Sequence, residues 1–308
     1  MRIASLLLLA LLAAPTVAPS QAPFRRDRGL EAELRRLANE VEGDVGIYVR
    51  HLKTGRGASI RADELFPTAS MIKLPILATT FQRIHDGALS FDSVLVWDDS
   101  LRYGDDDGLV NNLKPGTPVP LSQVSLMMIT TSDNAAALWL QALVGGGAAV
   151  NEWLHANGFD STRVNSRTPG RRPNWEVHGW GQTTPREISE LLVRVREGRA
   201  VSPAASLQMY RHLTRIYWNG EALSAIPPWV QVASKQGEVE RSRSEVALVN
   251  GRSGDYVFAV ITRNQRDTSY AATNQAYTLI RRVSALLWKR FEPGTPWTAP
   301  AEAVKYTP

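Results

Sequence analysis

Ser70-Met71-Ile72-Lys73 sets a hydroxyl and an ammonium three residues apart where an apolar, helically spaced stretch begins. Residues three apart share one helix face, so the two groups meet. A serine hydroxyl is a poor nucleophile near neutral pH. A lysine beside it takes its proton only where burial or nearby cations favour the neutral amine. Alone the pair carries little weight, because 22 Ser and 6 Lys in 308 residues give about 0.4 such spacings by chance. Ser132-Asp133-Asn134 adds weight: it lies between two helical stretches, and composition supplies only about 0.04 copies of it. Lys235-Gln236-Gly237 follows a third apolar run. The chemistry these residues suggest is acyl transfer through a serine ester.

The elements that position them follow from periodicity. Leu30, Leu34, Leu37 and Val41 recur at helical spacing, and Val45, Ile47 and Val49 then alternate as in a half-buried strand. Thr54-Gly55-Arg56-Gly57 is turn chemistry before the extended Ala58-Ser59-Ile60, which predicts an antiparallel hairpin. Helices are predicted over 70–86, 122–131, 135–144, 148–157, 185–197 and 203–213, with Pro185 suited to a first turn. Strands are expected at 230–235, 245–250 and 256–262, and a closing helix at 274–291. The layout is α/β (α+β): an antiparallel sheet built from both chain ends, flanked by helices, with an all-helical region inserted. Accordingly residues 29–65 and 215–291 form the sheet part, residues 66–214 the helical part, and 292–308 a Pro-rich tail expected to be disordered.

Composition narrows the function. Met1-Arg2, the apolar run Ile3 to Ala14 and small residues up to Ala22 have the form of a secretory signal over residues 1–22, so export to the periplasm or beyond is expected. That run is about half of the roughly 20 residues needed to span a bilayer, and no membrane span is expected after cleavage. The absence of cysteine excludes disulfides, thiol catalysis and Cys-ligated metals. Loss of Arg2 lowers the formal charge from +5 to +4. The pairs Arg25-Arg26, Arg35-Arg36, Arg171-Arg172 and Arg281-Arg282 lack interleaved aromatics, which argues for solvated surface and against nucleic acid. His51, His85, His155, His178 and His212 show no metal-ligand spacing, so neither a metal nor another cofactor is expected. A small-molecule substrate and a monomeric state are.

Phe66-Pro67-Thr68-Ala69-Ser70-Met71-Ile72-Lys73, Thr131-Ser132-Asp133-Asn134 and Lys235-Gln236-Gly237 resemble the signatures of class A beta-lactamases, and the likeness runs from about Leu30 to Phe291. It implies a beta-lactamase/transpeptidase-like fold and a substrate that is a beta-lactam or a cell-wall peptide. In that pattern Ser70 attacks an amide carbonyl, and the backbone N–H groups of Ser70 and Glu238 form the oxyanion hole. Lys73 activates Ser70, and Ser132 relays a proton to the leaving nitrogen. Lys235 attracts the substrate carboxylate and supplies the cation facing Lys73. Asn134, Gln236 and Gly237 contact substrate.

Departures from the pattern bear on the second half of the reaction. The family's Arg-Leu-Asp-Arg-x-Glu-Pro loop corresponds to Arg163-Val164-Asn165-Ser166-Arg167-Thr168-Pro169, so Thr168 stands where a Glu activates water. A threonine hydroxyl is no general base near pH 7. Ser166 and Gly181 replace the Arg and Asp that clamp the loop. Glu176 is a substitute base to be tested, and slow deacylation is the expectation. Gln236 replaces a hydroxyl residue. Arg241 and Arg243 are candidates for an anionic substrate group. Trp175, Trp180, Trp218 and Trp229 are candidate cleft walls. Two readings compete with a beta-lactamase: a hydrolase of another amide, peptide or ester, and a non-catalytic binder of penicillin or peptidoglycan.

Overall fold

Apolar runs from the two ends of the chain meet in one six-stranded sheet. Its order is Arg25–Arg26, Arg56–Ile60, Asp44–His51, Tyr256–Arg263, Ser242–Val249 and Val232–Val239. Neighbours are antiparallel except the short first pair. The computed structural model describes residues 22–104 and 108–308, so the leader expectation for residues 1–22 falls, apart from Ala22, outside the described residues. Strands Ser242–Val249 and Tyr256–Arg263 are buried on both faces, which is why the second reads as nearly continuous apolar sequence.

On one face lie the helices Arg28–Ala38 and Gln275–Phe291. Leu30, Leu34 and Leu287 pack there against Phe258 and Val260. Asp27 and Asn274 start these helices by accepting from Leu30 N (3.0 Å) and Ala276 N (2.9 Å), satisfying N–H groups that the first turn leaves unpaired. On the other face, helix Pro185–Arg196 covers the central strands. It is capped by Thr184, whose hydroxyl accepts from Glu187 N at 3.1 Å. Beyond it, helix Lys73–His85 is wrapped by Leu121–Thr130, Asn134–Leu143, Gly146–Ala156 and Pro203–Leu213. Leu74, Ile76, Leu77 and Ala78 are all fully buried, as a helix apolar on every side requires.

Several expectations are corrected. The middle of the chain is not purely helical: Val94–Val96 pairs with Pro118–Pro120, and Gly181–Thr183 pairs with both Phe66–Pro67 and Arg163–Val164. These strands are two or three residues long, too short for a period-2 pattern to register. A helix at Arg172–His178 was hidden by its polar sequence. Lys235 lies within its strand rather than at the end, because the strand continues through Val239. The tail is also ordered. Glu292 accepts from Ser253 N (2.9 Å) and Ser253 Oγ (2.6 Å), and Trp288 Nε1 donates to Thr295 O (2.9 Å). Trp297 packs on the core cluster that includes Leu287 and Trp288, so the prolines shape a strap instead of a free end.

Trp297→Ala should therefore lower the unfolding free energy by about 1–2 kcal/mol, the transfer value of a half-buried aromatic. The urea midpoint reads this, and an unchanged midpoint would mean the strap rests on the core without stabilising it.

Candidate active site

Ser70 sits in a single 3-10 turn, Ala69–Ile72, that runs into helix Lys73–His85. The turn is set by Ala69 at φ +43°, a left-handed conformation that costs a non-glycine residue about 1 kcal/mol. It is pinned by Thr68 N on Gly181 O (2.9 Å) and Met71 N on Thr68 O (3.0 Å). The expected helix thus begins one tight turn later than its spacing suggests, and Ser70 is presented half-buried at the junction.

Lys73, fully buried, points its Nζ at Ser70 Oγ (3.0 Å), Ser132 O (2.5 Å), Ser132 Oγ (3.1 Å) and Asn134 Oδ1 (2.7 Å). Ser132 also has positive φ, +62°. The residue after it explains how that is held: Asp133 caps helix Asn134–Leu143 through Ala136 N and accepts from Val110 N, both at 2.8 Å. Lys235, also fully buried, reaches Ser132 Oγ (3.0 Å), Gln236 O (2.9 Å) and Gln236 Oε1 (3.0 Å).

One hydroxyl therefore stands between two buried lysines. Bonds of 3.1 and 3.0 Å to the same oxygen keep the two nitrogens within about 6.1 Å. At that separation two cations repel by about 3 kcal/mol in a protein-like dielectric. Burial first, and the charge of Lys73 second, hold the Lys235 amine well below the ordinary lysine range. A neutral Lys73 can give two N–H groups to Ser132 O and Asn134 Oδ1 and turn its lone pair to Ser70, the geometry a general base needs.

Gly237 comes against the nucleophile turn. A Cβ there would lie 2.5 Å from Thr68 O and 2.8 Å from Ser70 N, so only glycine permits the approach. Ser244 Oγ lies 3.0 Å from Gly237 O and 3.3 Å from Thr68 O, tying strand to turn. Strand Val232–Val239 is the edge of the sheet, which leaves backbone groups facing the cleft without a neighbouring strand. This arrangement brings Gly237 against the backbone of Ser70, and the carboxylate of the next residue, Glu238, accepts from Tyr277 OH.

Behind Lys235 a carboxyl group is buried. Glu245 accepts from Ala222 N (2.9 Å) and Ser234 Oγ (2.7 Å). Burial, reinforced by Glu221, pushes its pKa up to about 8. Glu245 is thus driven toward its neutral form, which weakens the counter-charge it offers Lys235.

Other candidates are not in this cluster. Arg243 shares a register position with Glu238, whereas Ser244 pairs with Gly237. Side-chain alternation therefore sends Arg243 to the face away from Lys235. There it is fully buried, donating to Ser269 O (2.7 Å), Ser242 O (3.0 Å) and Val239 O and lying 4.3 Å from the Tyr270 ring and 5.0 Å from that of Tyr277. It is spent on the fold and closed to an anionic ligand. Arg241 is exposed at the hairpin turn. Thr168 donates its hydroxyl to Ser166 O (2.9 Å) and packs where a Gly147 side chain would be. Glu176 is exposed and pairs with Arg172 (2.9 Å).

The loop from Arg163 to Gly181 is clamped without an ion pair at Ser166 and Gly181. Arg171 donates to Asn165 Oδ1 (3.0 and 2.8 Å) and Gln182 Oε1 (2.8 Å), while the N–H groups of Asn165 and Ser166 both reach Trp180 O (2.8 and 3.0 Å). Trp180 turns its ring toward Lys73, 5.8 Å from Nζ, and meets Tyr103 edge-on at 5.0 Å. Trp218 donates Nε1–H to Thr131 O at 2.8 Å, whereas Trp175 stays with Arg172 (4.6 Å) and Trp229 is exposed. Among the described residues, no group of three His, Asp or Glu side chains could hold a metal ion, and no helix is long and apolar enough to cross a membrane.

Ser244 and Glu245 shape the site without a sequence signal that named them; Asp133 stood in its tripeptide with no role assigned, and Arg171, expected as solvated surface, is instead a part-buried clamp on Asn165 and Gln182. The first two could have been found only from strand register.

The model of the "Beta-lactamase enzyme family" matches residues 29–291. A beta-lactamase of Rhodobacter capsulatus is 26% identical over 254 residues, covering 80% of this chain and 84% of that one. One from Streptomyces lavendulae is 30% identical over 182 residues, 56% of this chain and 57% of its own. Among solved structures, PBP-A superposes with a TM-score of 0.78 at 24% identity, covering 89% of this chain and 99% of that chain. A beta-lactamase from Chitinophaga pinensis gives 0.77 at 20% identity, covering 85% and 99%. These structural likenesses establish the fold.

Glu245 generates a pH prediction. Its folded-state pKa of about 8 exceeds the ordinary 4.5, so its stabilising contribution is complete below about pH 4.5 and is lost as the pH rises through about 8. The slope is at most about 1.4 kcal/mol per pH unit. Lys235, held low, pulls the opposite way, so the difference between the protein and Glu245→Gln isolates the carboxyl. Urea denaturation at about pH 5, 6.5 and 8 should show the variant gaining relative stability as the pH rises, and parallel profiles would refute the assignment.

Proposed function

Since the chain belongs to the beta-lactamase enzyme family, we propose that it is a serine hydrolase that opens beta-lactam rings through an acyl-enzyme at Ser70 and releases the acyl group slowly. The observation that carries this reading is Lys73 Nζ at 3.0 Å from Ser70 Oγ, with Ser132 Oγ shared between Lys73 and Lys235. Ser70 Oγ attacks the lactam carbonyl carbon as its proton passes to Lys73. The carbonyl oxygen, now negative, is held by the N–H groups of Ser70 and Glu238. The C–N bond then breaks, and the nitrogen takes a proton from Ser132, which is resupplied from the lysines. Lys235 and Gln236 bind the substrate carboxylate and Asn134 its acyl amide. A mutant of PBP-A, whose fold this chain shares, forms an acyl-enzyme complex with penicillin G. With residues 1–22 as a secretory leader, the reaction takes place after export.

Slow release follows from the loop. The Thr168 hydroxyl is engaged on Ser166 O and Glu176 on Arg172, so neither is presented to Ser70 as a base for water. The Trp180 ring faces Lys73 instead. Hydrolysis then lacks a dedicated proton acceptor, a contribution of roughly 10²–10⁴ in rate.

Intact-mass spectrometry of the purified protein with penicillin G should show an adduct of the full penicillin mass that persists while free drug declines slowly. Ser70→Ala should show none, and Lys73→Ala should form it about 10²–10⁴-fold more slowly. Absence of any adduct, or an adduct that survives Ser70→Ala, would overturn the assignment; fast turnover would overturn the slow release alone.

A further inference from the structure

Two large aromatic side chains stand exposed beside the residue that hands over the proton. Tyr217 is 53% and Trp218 38% exposed, yet neither is loosely held. Tyr217 N donates to Thr130 O at 3.0 Å and Trp218 Nε1 to Thr131 O at 2.8 Å, and the two rings meet edge to face at 5.1 Å. Thr131 precedes Ser132, and the loop carrying both aromatics connects helix Pro203–Leu213 to strand Val232–Val239, the strand of Lys235. The pair is therefore fixed to the residues that lead into Ser132, the residue whose hydroxyl Lys235 holds at 3.0 Å.

Exposed aromatics anchored through backbone hydrogen bonds contribute little to a core. Their indole and phenol faces remain available for stacking, worth about two- to tenfold in an equilibrium or rate ratio. Which part of a substrate they meet follows from proton transfer: Ser132 must approach the leaving nitrogen, so groups attached on the nitrogen side of the scissile bond lie toward Thr131 and Trp218. We infer that Trp218, backed by Tyr217, is a specificity-determining platform that binds flat apolar or aromatic substituents on the leaving-group side of the substrate. The inference rests on acylation at Ser70, and the experiment separates the two.

The probes are two cephalosporins with the same acyl side chain, one bearing methyl and the other an aryl-vinyl group at C3, the ring position nearest the leaving nitrogen that can carry such groups. Second-order acylation rates at Ser70 are measured by intact mass or absorbance. The parent protein should prefer the aryl-vinyl probe. Trp218→Ala should reduce that preference about three- to tenfold, with little change in the rate of adduct decay. Trp218→Phe keeps a ring but removes the bond to Thr131 O and should retain most of the preference, whereas Tyr217→Ala should reduce it partially. If Trp218→Ala and Trp218→Phe slow both probes equally, the indole acts only as a tether for Ser132 and the platform is refuted. It is refuted also if the parent shows no preference. Failure of either probe to label the parent at Ser70 would remove the acylation reading itself.

Discussion

The site depends on one constraint: two buried lysines with a single serine hydroxyl between them. Lys235 cannot hold its charge there without cost, because burial removes water and the charge of Lys73 raises the potential at its amine. Lys235 is driven down, and Glu245, the carboxyl nearest behind it, is itself pushed toward its neutral form. Behind Lys235, then, the buried carboxyl offers only a weakened counter-charge. Much of the surrounding architecture serves to keep Ser132 in its strained conformation: the Asp133 cap, its bond to Val110 N, and the acceptors that orient Lys73.

The nucleophile has a parallel arrangement. Its turn is left-handed at Ala69, tied on one side to Gly181 and on the other, through Ser244, to Gly237. The loop behind Lys73 is held by Arg171 on neutral amide oxygens, a clamp with no carboxylate to protonate. Its geometry should be less sensitive to acid than that of a loop joined by an ion pair, although the charge of Arg171 remains.

What could be read from the chain alone divides along a physical line. Ser70 and Lys73 are one helical turn apart, Ser132 to Asn134 is a single tripeptide, and Lys235 to Gly237 is another; local spacing carries all of them. The amphipathic helices were legible for the same reason, as were the central strands with their near-continuous apolar runs. Arg243 was misjudged because its role depends on which face it takes, and that is set by pairing Arg243 with Glu238 across a hairpin. The start of its strand was missed because Ser242, Arg243 and Ser244 are polar, and what buries Arg243 and Ser244 includes Ser269 O and Thr68 O, distant in sequence. Glu245 was invisible on the same grounds, and Arg171 reads as solvated surface until Asn165 and Gln182 are brought to it. The short strands near Ser70 carry too few residues for any period, and the tail reads as loose until Trp297 and Glu292 find their contacts.

The sheet's connectivity has a consequence for how the chain comes to be folded. Its middle is a pairing of Asp44–His51 with Tyr256–Arg263, joining residues more than two hundred positions apart. A contact of that sequence separation costs loop-closure entropy before it returns any packing, and it forms slowly. Until residue 263 has emerged, the N-terminal hairpin has no neighbour on its inner edge and the helices of the middle have no sheet to cover. The sheet therefore stays open until residue 263 has been made, and its completion sets the strand of Lys235 beside the helix of Lys73.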